Sequence, residues 1–169
     1  MRNVIQGGSE VSAVPLETKA DHWQFFNPQT IPWTPWGMPK TFYKLLHIDE
    51  ASGRFTFLLK VEREVTAMLH KHLGEAEAYI VEGEFGYGRE RGGAGWYAYE
   101  AGGAVHIPDT RTGMVLFAIS HGPIIGYNPD GSIAGVLDVG WMYETARANG
   151  AAGHIKRHIN FTAAGQDTL

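Results

Sequence analysis

The chain has 169 residues, enough for one domain with a substantial core and too few for two comfortable ones. Its formal net charge is -4 with no basic stripe, which argues against a nucleic-acid partner. Cysteine is absent, so disulfides and thiolate metal sites are excluded and any metal must be bound by His, Asp, Glu or water.

The first part of the chain is rich in Pro, Gly and Trp, a composition that excludes helix and central strand. We expect residues 1–40 to form an arm that packs over the rest of the protein or over a partner subunit, with a plain surface loop as the alternative. Residues 41–150 are predicted to form a barrel with a helix and residues 151–169 a tail, all within one domain.

Short runs typical of β-strands follow the arm, and turns rich in Gly, Asp and Asn separate them, which predicts an all-β sandwich or barrel. The predicted strands are Thr41–Ile48, Arg54–Val61, Glu64–His70, Glu77–Val81, Glu84–Tyr87, Gly95–Tyr99, Ala104–Ile107, Met114–Ser120, Ile124–Tyr127 and Ser132–Val139. One helix is predicted, Trp141–Asn149, closed by Gly150.

The start of the chain has no apolar run typical of a secretory signal. The longest uncharged stretch, Gly113 to Pro129, is interrupted by His121 and Pro123 and is too short to span a membrane. We therefore expect no membrane partner and a cytoplasmic location.

Three histidines are the most informative residues. His70 and His72 are one residue apart, and His106 ends a Gly-x-x-His segment that begins at Gly103. Residues i and i+2 of a strand share a face, so both histidines of the pair would point into one cavity. With His106 they would supply three nitrogen ligands and leave coordination positions open, as a catalytic metal requires. The alternative for the pair alone is two exposed strand histidines.

The spacing of these residues resembles the two motifs of the cupin superfamily. His70-x-His72 is followed by Glu77 and Gly83, and the Gly-x-x-His segment ending at His106 forms the second motif. The resemblance implies a jelly-roll barrel, a double-stranded β-helix, in which three His and often Glu77 hold one divalent metal.

The sequence departs from the cupin motifs at three places. Ala101 stands where the second motif usually has Pro, and Thr110 where it often ends with Asn. The gap from Glu77 to Gly83 is one residue shorter than the family norm, which makes Glu77 a less secure ligand than the histidines.

Roughly two-thirds of the chain resembles one cupin branch, the 2,4'-dihydroxyacetophenone dioxygenase group with its relative acetylacetone dioxygenase. The segments that carry this resemblance are Ile31–Pro35, Leu58–Val61, His70–Gly74, Gly122–Tyr127, Asp130–Gly131, Asp138–Val139 and Ala146–Arg147. The resemblance implies a mononuclear non-haem iron enzyme that uses O₂ to cleave a carbon–carbon bond beside the carbonyl of a small ketone. Fe(II) is the expected metal, with Zn, Mn or Ni as alternatives.

Further site residues are predicted around the histidines. Glu77 and Tyr79 are candidate catalytic groups on one strand face, although Tyr79 is equally explained as core filler. Some members of the branch place an acidic residue on the strand after the Gly that closes the first motif. Glu90 lies at that position and is therefore a candidate ligand, with a solvated turn residue as the alternative. Phe85 and Tyr87 would share a face as an aromatic pocket wall.

The remaining histidines have no partner spacing. His121 is interpreted as a satisfied core residue. The others are expected at the surface or an interface: His22, His47, His154 and His158.

Other functions remain open at this point. Another metal-dependent cupin enzyme, an isomerase or lyase, would use the metal as a Lewis acid. A non-catalytic metal sensor would need a helical partner-binding domain. The strands that carry the ligands have few Lys and Arg, which favours a neutral or singly anionic ketone or aromatic substrate over a sugar phosphate. The aromatic arm also predicts a homodimer or higher oligomer.

Overall fold

The computed structural model describes residues 24–157. Within that range the chain forms thirteen strands, one 3₁₀ turn and one α-helix. The 3₁₀ turn is Pro28–Thr30 and the helix is Val139–Ala148 (α1). The strands are Thr34–Pro35 (β1), Thr41–Asp49 (β2), Arg54–Val61 (β3), Val65–Thr66 (β4), His70–His72 (β5), Ala76–Tyr87 (β6), Glu90–Gly93 (β7), Tyr97–Glu100 (β8), Val105–His106 (β9), Asp109–Thr110 (β10), Met114–Ser120 (β11), Ile124–Tyr127 (β12) and Ile133–Leu137 (β13).

The strands form two sheets that face each other. The large sheet has the order β1-β2-β3-β11-β6-β10-β4, and β7 and β8 also pair with β6. The small sheet has the order β13-β12-β5-β9. The pairings in both sheets are antiparallel. The predicted all-β barrel with a short C-terminal helix is therefore confirmed.

Strand β6 is longer than the sequence predicted. It runs without a break through Gly83, which has a φ of 73° and whose absent side chain lets the carbonyl oxygen of Gly113 approach closely. The predicted strand Glu64–His70 is instead divided into β4 and β5. This division moves the His-x-His segment out of the large sheet and into the small one.

The main core lies between the large sheet and helix α1. Tyr43, Leu45, Phe55 and Met142 are almost completely buried there. The Tyr43 hydroxyl donates a hydrogen bond to the Met142 carbonyl at 2.7 Å, so its buried oxygen is satisfied. The helix begins after Asp138, whose carboxylate accepts from the Trp141 N–H.

The described part of the arm packs on the barrel. Strand β1 pairs with β2 and forms the edge of the large sheet, and the Trp33 ring lies under the ammonium groups of Lys44 and Lys60 at 4.7 and 4.9 Å. The Trp36 ring stacks on Phe57. The domain limits at residues 40 and 150 stay predictions, and His22 and His158 lie outside the described residues.

Among residues 24–157, no helix is long and apolar enough to cross a membrane.

Candidate metal centre

Strand pairing brings the three predicted histidines together. His70 and His72 alternate with Lys71 on β5 and share a face, and β9 pairs so that His106 stands directly opposite His70. One ligand atom from each imidazole lies within 4.8 Å of the other two. As the His-x-His spacing predicts, His70 and His72 lie on the same face of β5, and His106 on the short strand β9 supplies the third nitrogen.

His72 is the deepest of the three, with 5% of its surface exposed. Neither of its buried ring nitrogens has a hydrogen-bond partner. Its Nε2 atom lies 3.0 Å from Oε2 of Glu100, but the two groups are not aligned as a hydrogen bond. A buried imidazole nitrogen without a partner lowers the free energy of unfolding unless another group binds its lone pair, and a metal ion would do so.

His70 and His106 turn their Nε2 atoms toward each other. His70 Nδ1 lies 3.0 Å from the Met68 carbonyl oxygen, which only accepts, so Nδ1 carries the proton and Nε2 carries the lone pair. The Nε2 atoms of His70 and His106 are 3.0 Å apart. Two nitrogen ligands about 2.1 Å from one ion and at right angles to each other would stand about 3.0 Å apart, so the pair fits a metal.

Burial keeps these imidazoles neutral. Desolvation lowers the pKa of His70 to about 4, and it also lowers the pKa of His106. Metal ligation requires the neutral ring, so both side chains are ready to bind an ion at neutral pH.

The carboxylate that reaches this centre, Glu100, was not predicted from the sequence. Its inward direction follows from alternation in β8, where Tyr97 and Tyr99 face outward. Its Oε2 atom is 3.0 Å from His72 Nε2 and 3.8 Å from His106 Nε2, and its Oε1 accepts a hydrogen bond from the Tyr87 hydroxyl. The available signal was the Tyr-Ala-Tyr-Glu alternation of β8 itself.

Glu77 does not reach the histidines, and its prediction as ligand and catalytic group was wrong. Ala76 and Ile80 on the same strand are buried, so Glu77 faces the outer side of the sheet. Its carboxylate accepts from the Tyr97 hydroxyl at 2.8 Å and lies 3.1 Å from His121 Nε2. These two contacts lower the pKa of Glu77, and they place His121 at the surface, not in the core.

Tyr79 is also on the outer face, and its prediction as a catalytic and pocket residue was wrong. It is 49% exposed and lies between Phe117 and Tyr97 of the neighbouring strands. Glu90 is exposed where the β6–β7 hairpin turns, opposite Tyr87. The carboxylate close to the histidines is Glu100, not Glu90.

Two other histidines have partners away from the centre. His154 Nε2 lies 2.8 Å from the Leu45 carbonyl oxygen, and its ring packs on Phe26. His47 is exposed on β2.

A cavity of about 350 Å³ separates the histidines from the large sheet. We call its base the small-residue floor: Ala76, Ala78, Ala118 and Ser120, which form two directly paired rows on β6 and β11. Small side chains at these positions leave space in front of the imidazoles. A longer side chain here would fill it.

Apolar and aromatic side chains form the walls of this cavity. Phe85 and Tyr87 lie at one side, as expected, and Tyr87 stacks on His106. Trp36, Phe57 and Trp141 lie at another. Among the described residues that line the cavity there is no Lys or Arg. The cavity therefore suits an apolar compound with few charges.

Comparisons with known proteins agree with this architecture. A family model described as the ChrR Cupin-like domain matches residues 22–125. Among curated proteins, no relative matches this chain.

Several solved structures have the same fold. An RmlC-like cupin protein from Ralstonia eutropha is 21% identical, with 80% of this chain and 91% of the other covered and a TM-score of 0.71. A cupin-like protein of unknown function from the same organism is 21% identical, with 87% and 100% covered and a TM-score of 0.73. An acetylacetone dioxygenase from Acinetobacter johnsonii is 15% identical, with 80% and 97% covered and a TM-score of 0.67. These likenesses confirm the predicted cupin jelly roll.

Proposed function

The chain belongs to the ChrR cupin-like family, and we propose that it is a metal-dependent cupin dioxygenase. Its substrate would be a small diketone or hydroxyketone, such as a hydroxyacetophenone. The reaction would cleave the carbon–carbon bond beside the carbonyl and place oxygen from O₂ in the products. The acetylacetone dioxygenase among the fold neighbours supports this choice of chemistry.

One observation carries the proposal: an apolar cavity is lined by His70 and His72, and the ligand atoms of these two residues and His106 lie within 4.8 Å of one another. His72 has no hydrogen-bond partner at either ring nitrogen, which supports a bound ion as the partner of this imidazole. Histidine nitrogens suit Fe(II), and they also accept Zn, Mn or Ni. An ion held there would act as a Lewis acid toward a chelating ketone and, as Fe(II), as a redox centre for O₂.

The protein would contribute position and exclusion of water. The His70 Nδ1 contact with the Met68 carbonyl fixes the ring that faces the cavity. The aromatic walls exclude water, and the small-residue floor leaves room for a ketone. A dianionic sugar phosphate usually needs several basic groups, and none lines the cavity among residues 24–157.

The test is metal analysis followed by O₂ uptake. Protein from iron-supplemented cells should contain one iron per chain and consume O₂ with some member of a panel of β-diketones and hydroxyacetophenones. Label from ¹⁸O₂ should appear in both cleavage products. His72→Ala should lose both metal and O₂ uptake, whereas His121→Ala, on the outer face, should retain both. Iron-loaded protein that consumes no O₂ with any compound would contradict the proposal.

A second candidate is a non-catalytic metal-binding module, which is favoured by the description of the matching family model as ChrR cupin-like. It requires the same three histidines but no substrate turnover. Tight metal binding without O₂ uptake, together with no isomerase or lyase activity, would favour it.

A further inference from the structure

Glu100 is a partly buried carboxylate without a Lys or Arg partner in the described chain. Its side chain is 17% exposed, and its ion-pair contacts in the described chain are His72 and His106, with no Lys or Arg. A carboxylate removed from water needs a compensating positive charge.

Tyr87 fixes the orientation of this carboxylate. Its hydroxyl donates to Oε1 of Glu100, which leaves Oε2 directed at the histidines. The Tyr87 ring is held on two sides: it stacks on His106 at 4.6 Å between ring centroids, and it meets Phe85 edge-on at 5.7 Å. The phenol therefore has little freedom to release the carboxylate.

We propose that Glu100 is a fourth ligand of the metal and that Tyr87 is a positioning residue that directs its Oε2 atom toward the ion. The proposal rests on the metal site of the proposed function and adds to it one anionic ligand from β8, a strand outside the two motifs that carry the histidines. Oε2 and His72 Nε2 are 3.0 Å apart, the same separation as the Nε2 atoms of His70 and His106. Both distances are those of neighbouring ligands around one ion.

The chain offers a matched control for each residue. Glu77 and Tyr79 have the same functional groups but lie on the outer face of β6. Changing them tests whether loss of any nearby carboxylate or phenol affects the metal.

The experiment uses the full chain, stripped of metal and titrated with Co²⁺ against a competing chelator, with the visible spectrum recorded. Glu100→Gln should weaken Co²⁺ binding by at least about 10-fold and shift the spectrum. Tyr87→Phe should weaken binding by about 10-fold and shift the spectrum in the same direction, because the carboxylate is no longer held. Glu77→Gln and Tyr79→Phe should match the wild type.

Unchanged affinity and an unchanged spectrum in Glu100→Gln would overturn the proposal. If that variant does not fold, a crystal structure of the Zn²⁺-loaded wild type decides: Oε2 of Glu100 should lie about 2.0–2.2 Å from the ion. A carboxylate beyond about 3 Å from the ion, outside that bonding range, would overturn it.

The two proposals fail separately. Wild-type protein that binds Co²⁺ with the expected sensitivity to Glu100 but consumes no O₂ when loaded with iron leaves the ligand assignment intact and removes the dioxygenase. If the iron-loaded wild type consumes O₂ but Glu100→Gln binds Co²⁺ normally, the dioxygenase proposal stands and the ligand assignment of Glu100 is removed.

Discussion

At the scale of single residues, the centre is defined by two polar groups that lie close together without pairing. His72 and Glu100 are both withdrawn from water, and they lie 3.0 Å apart without the alignment of a hydrogen bond. Such an arrangement is unfavourable in a metal-free protein. Binding of an ion should therefore stabilise the fold as well as complete the site.

We predict that a divalent metal raises the melting temperature of the wild-type protein and not that of His72→Ala. A ligand at about 100 times its dissociation constant adds about 2.7 kcal/mol to the free energy of unfolding. Differential scanning calorimetry with and without Zn²⁺ measures the difference. His121→Ala is the control and should respond to Zn²⁺ like the wild type. An equal metal response in His72→Ala would contradict this assignment.

The sequence was sufficient for the three histidines but not for the carboxylate. His70 and His72 share a face wherever β5 begins, because alternation alone decides it. For Glu77, the face depends on which residues of the long strand β6 are held in the core. The burial of Ala76 and Ile80 settles that question, and a register shift opposite Val115 and Leu116 separates this half of β6 from Phe85, which no spacing rule shows.

At the scale of elements, one arginine joins three strands. Arg91 of β7 binds the Glu84 carboxylate of β6 at 2.5 Å, and it binds the Asp109 carboxylate of β10 at 2.7 Å. The side chains of Arg91 and Glu84 are only 16% and 20% exposed. The hydrogen bond from Arg91 holds the pKa of Glu84 down at about 2.

Glu84→Gln should lower the free energy of unfolding at neutral pH by about 1–3 kcal/mol, a range for charged hydrogen bonds already reduced for partial exposure. Because the folded pKa is depressed, ionised Glu84 stabilises the protein fully above its ordinary pKa of 4.5, and this contribution is lost as the pH falls toward 2. Urea unfolding of both proteins across this pH range measures it.

Glu82→Gln is the matched control, because Glu82 is an exposed carboxylate on the same strand. It should change the free energy of unfolding by less than about 0.5 kcal/mol. A difference between wild type and Glu84→Gln that stays constant down to pH 2 would show that the ion pair is not its cause.

Long, apolar strands were predictable, and short polar ones were not. β3, β11 and β12 have the predicted limits because their residues alternate clearly between buried and exposed. β7, with the sequence Glu-Arg-Gly-Gly, has no such pattern. It is held in place by the ion pairs of Arg91 and by the pairing of β7 with β6. β6 was predicted as two strands because Gly83 resembles a turn residue.

At the scale of the whole molecule, the outer face of the large sheet exposes a group of aromatic rings. Tyr79, Tyr97, Tyr99 and Phe117 are 38–60% exposed there. The sequence prediction of a homodimer or higher oligomer rested on the arm, but Trp33 and Trp36 already pack on the barrel. The exposed tyrosines now provide the better reason to expect association.

We predict a mass of at least two chains by light scattering at micromolar concentration. Tyr97→Glu should lower the mass if this face is the contact, because it places a charge among the exposed rings. Lys71→Glu, on the small sheet, is the control. A monomeric wild-type protein would contradict the prediction.

The unfilled space of the cavity should lower the free energy of unfolding of the protein. Ala118→Val on the small-residue floor would add apolar atoms to existing space, so we expect the free energy of unfolding to rise by about 1 kcal/mol. Binding of a hydroxyacetophenone to the Zn²⁺-loaded protein should weaken at the same time, measured by calorimetry. A destabilised variant with unchanged ligand binding would mean that the floor does not face the ligand.

The separation of the two sheets has an evolutionary consequence. The three imidazoles belong to the small sheet, whereas the floor that sets the volume in front of them belongs to β6 and β11 of the large one. A methyl group gained or lost at the floor therefore changes which compounds fit without moving a histidine. Lineages built on this barrel can diversify in the size of molecule that the cavity admits while inheriting the three histidines unaltered.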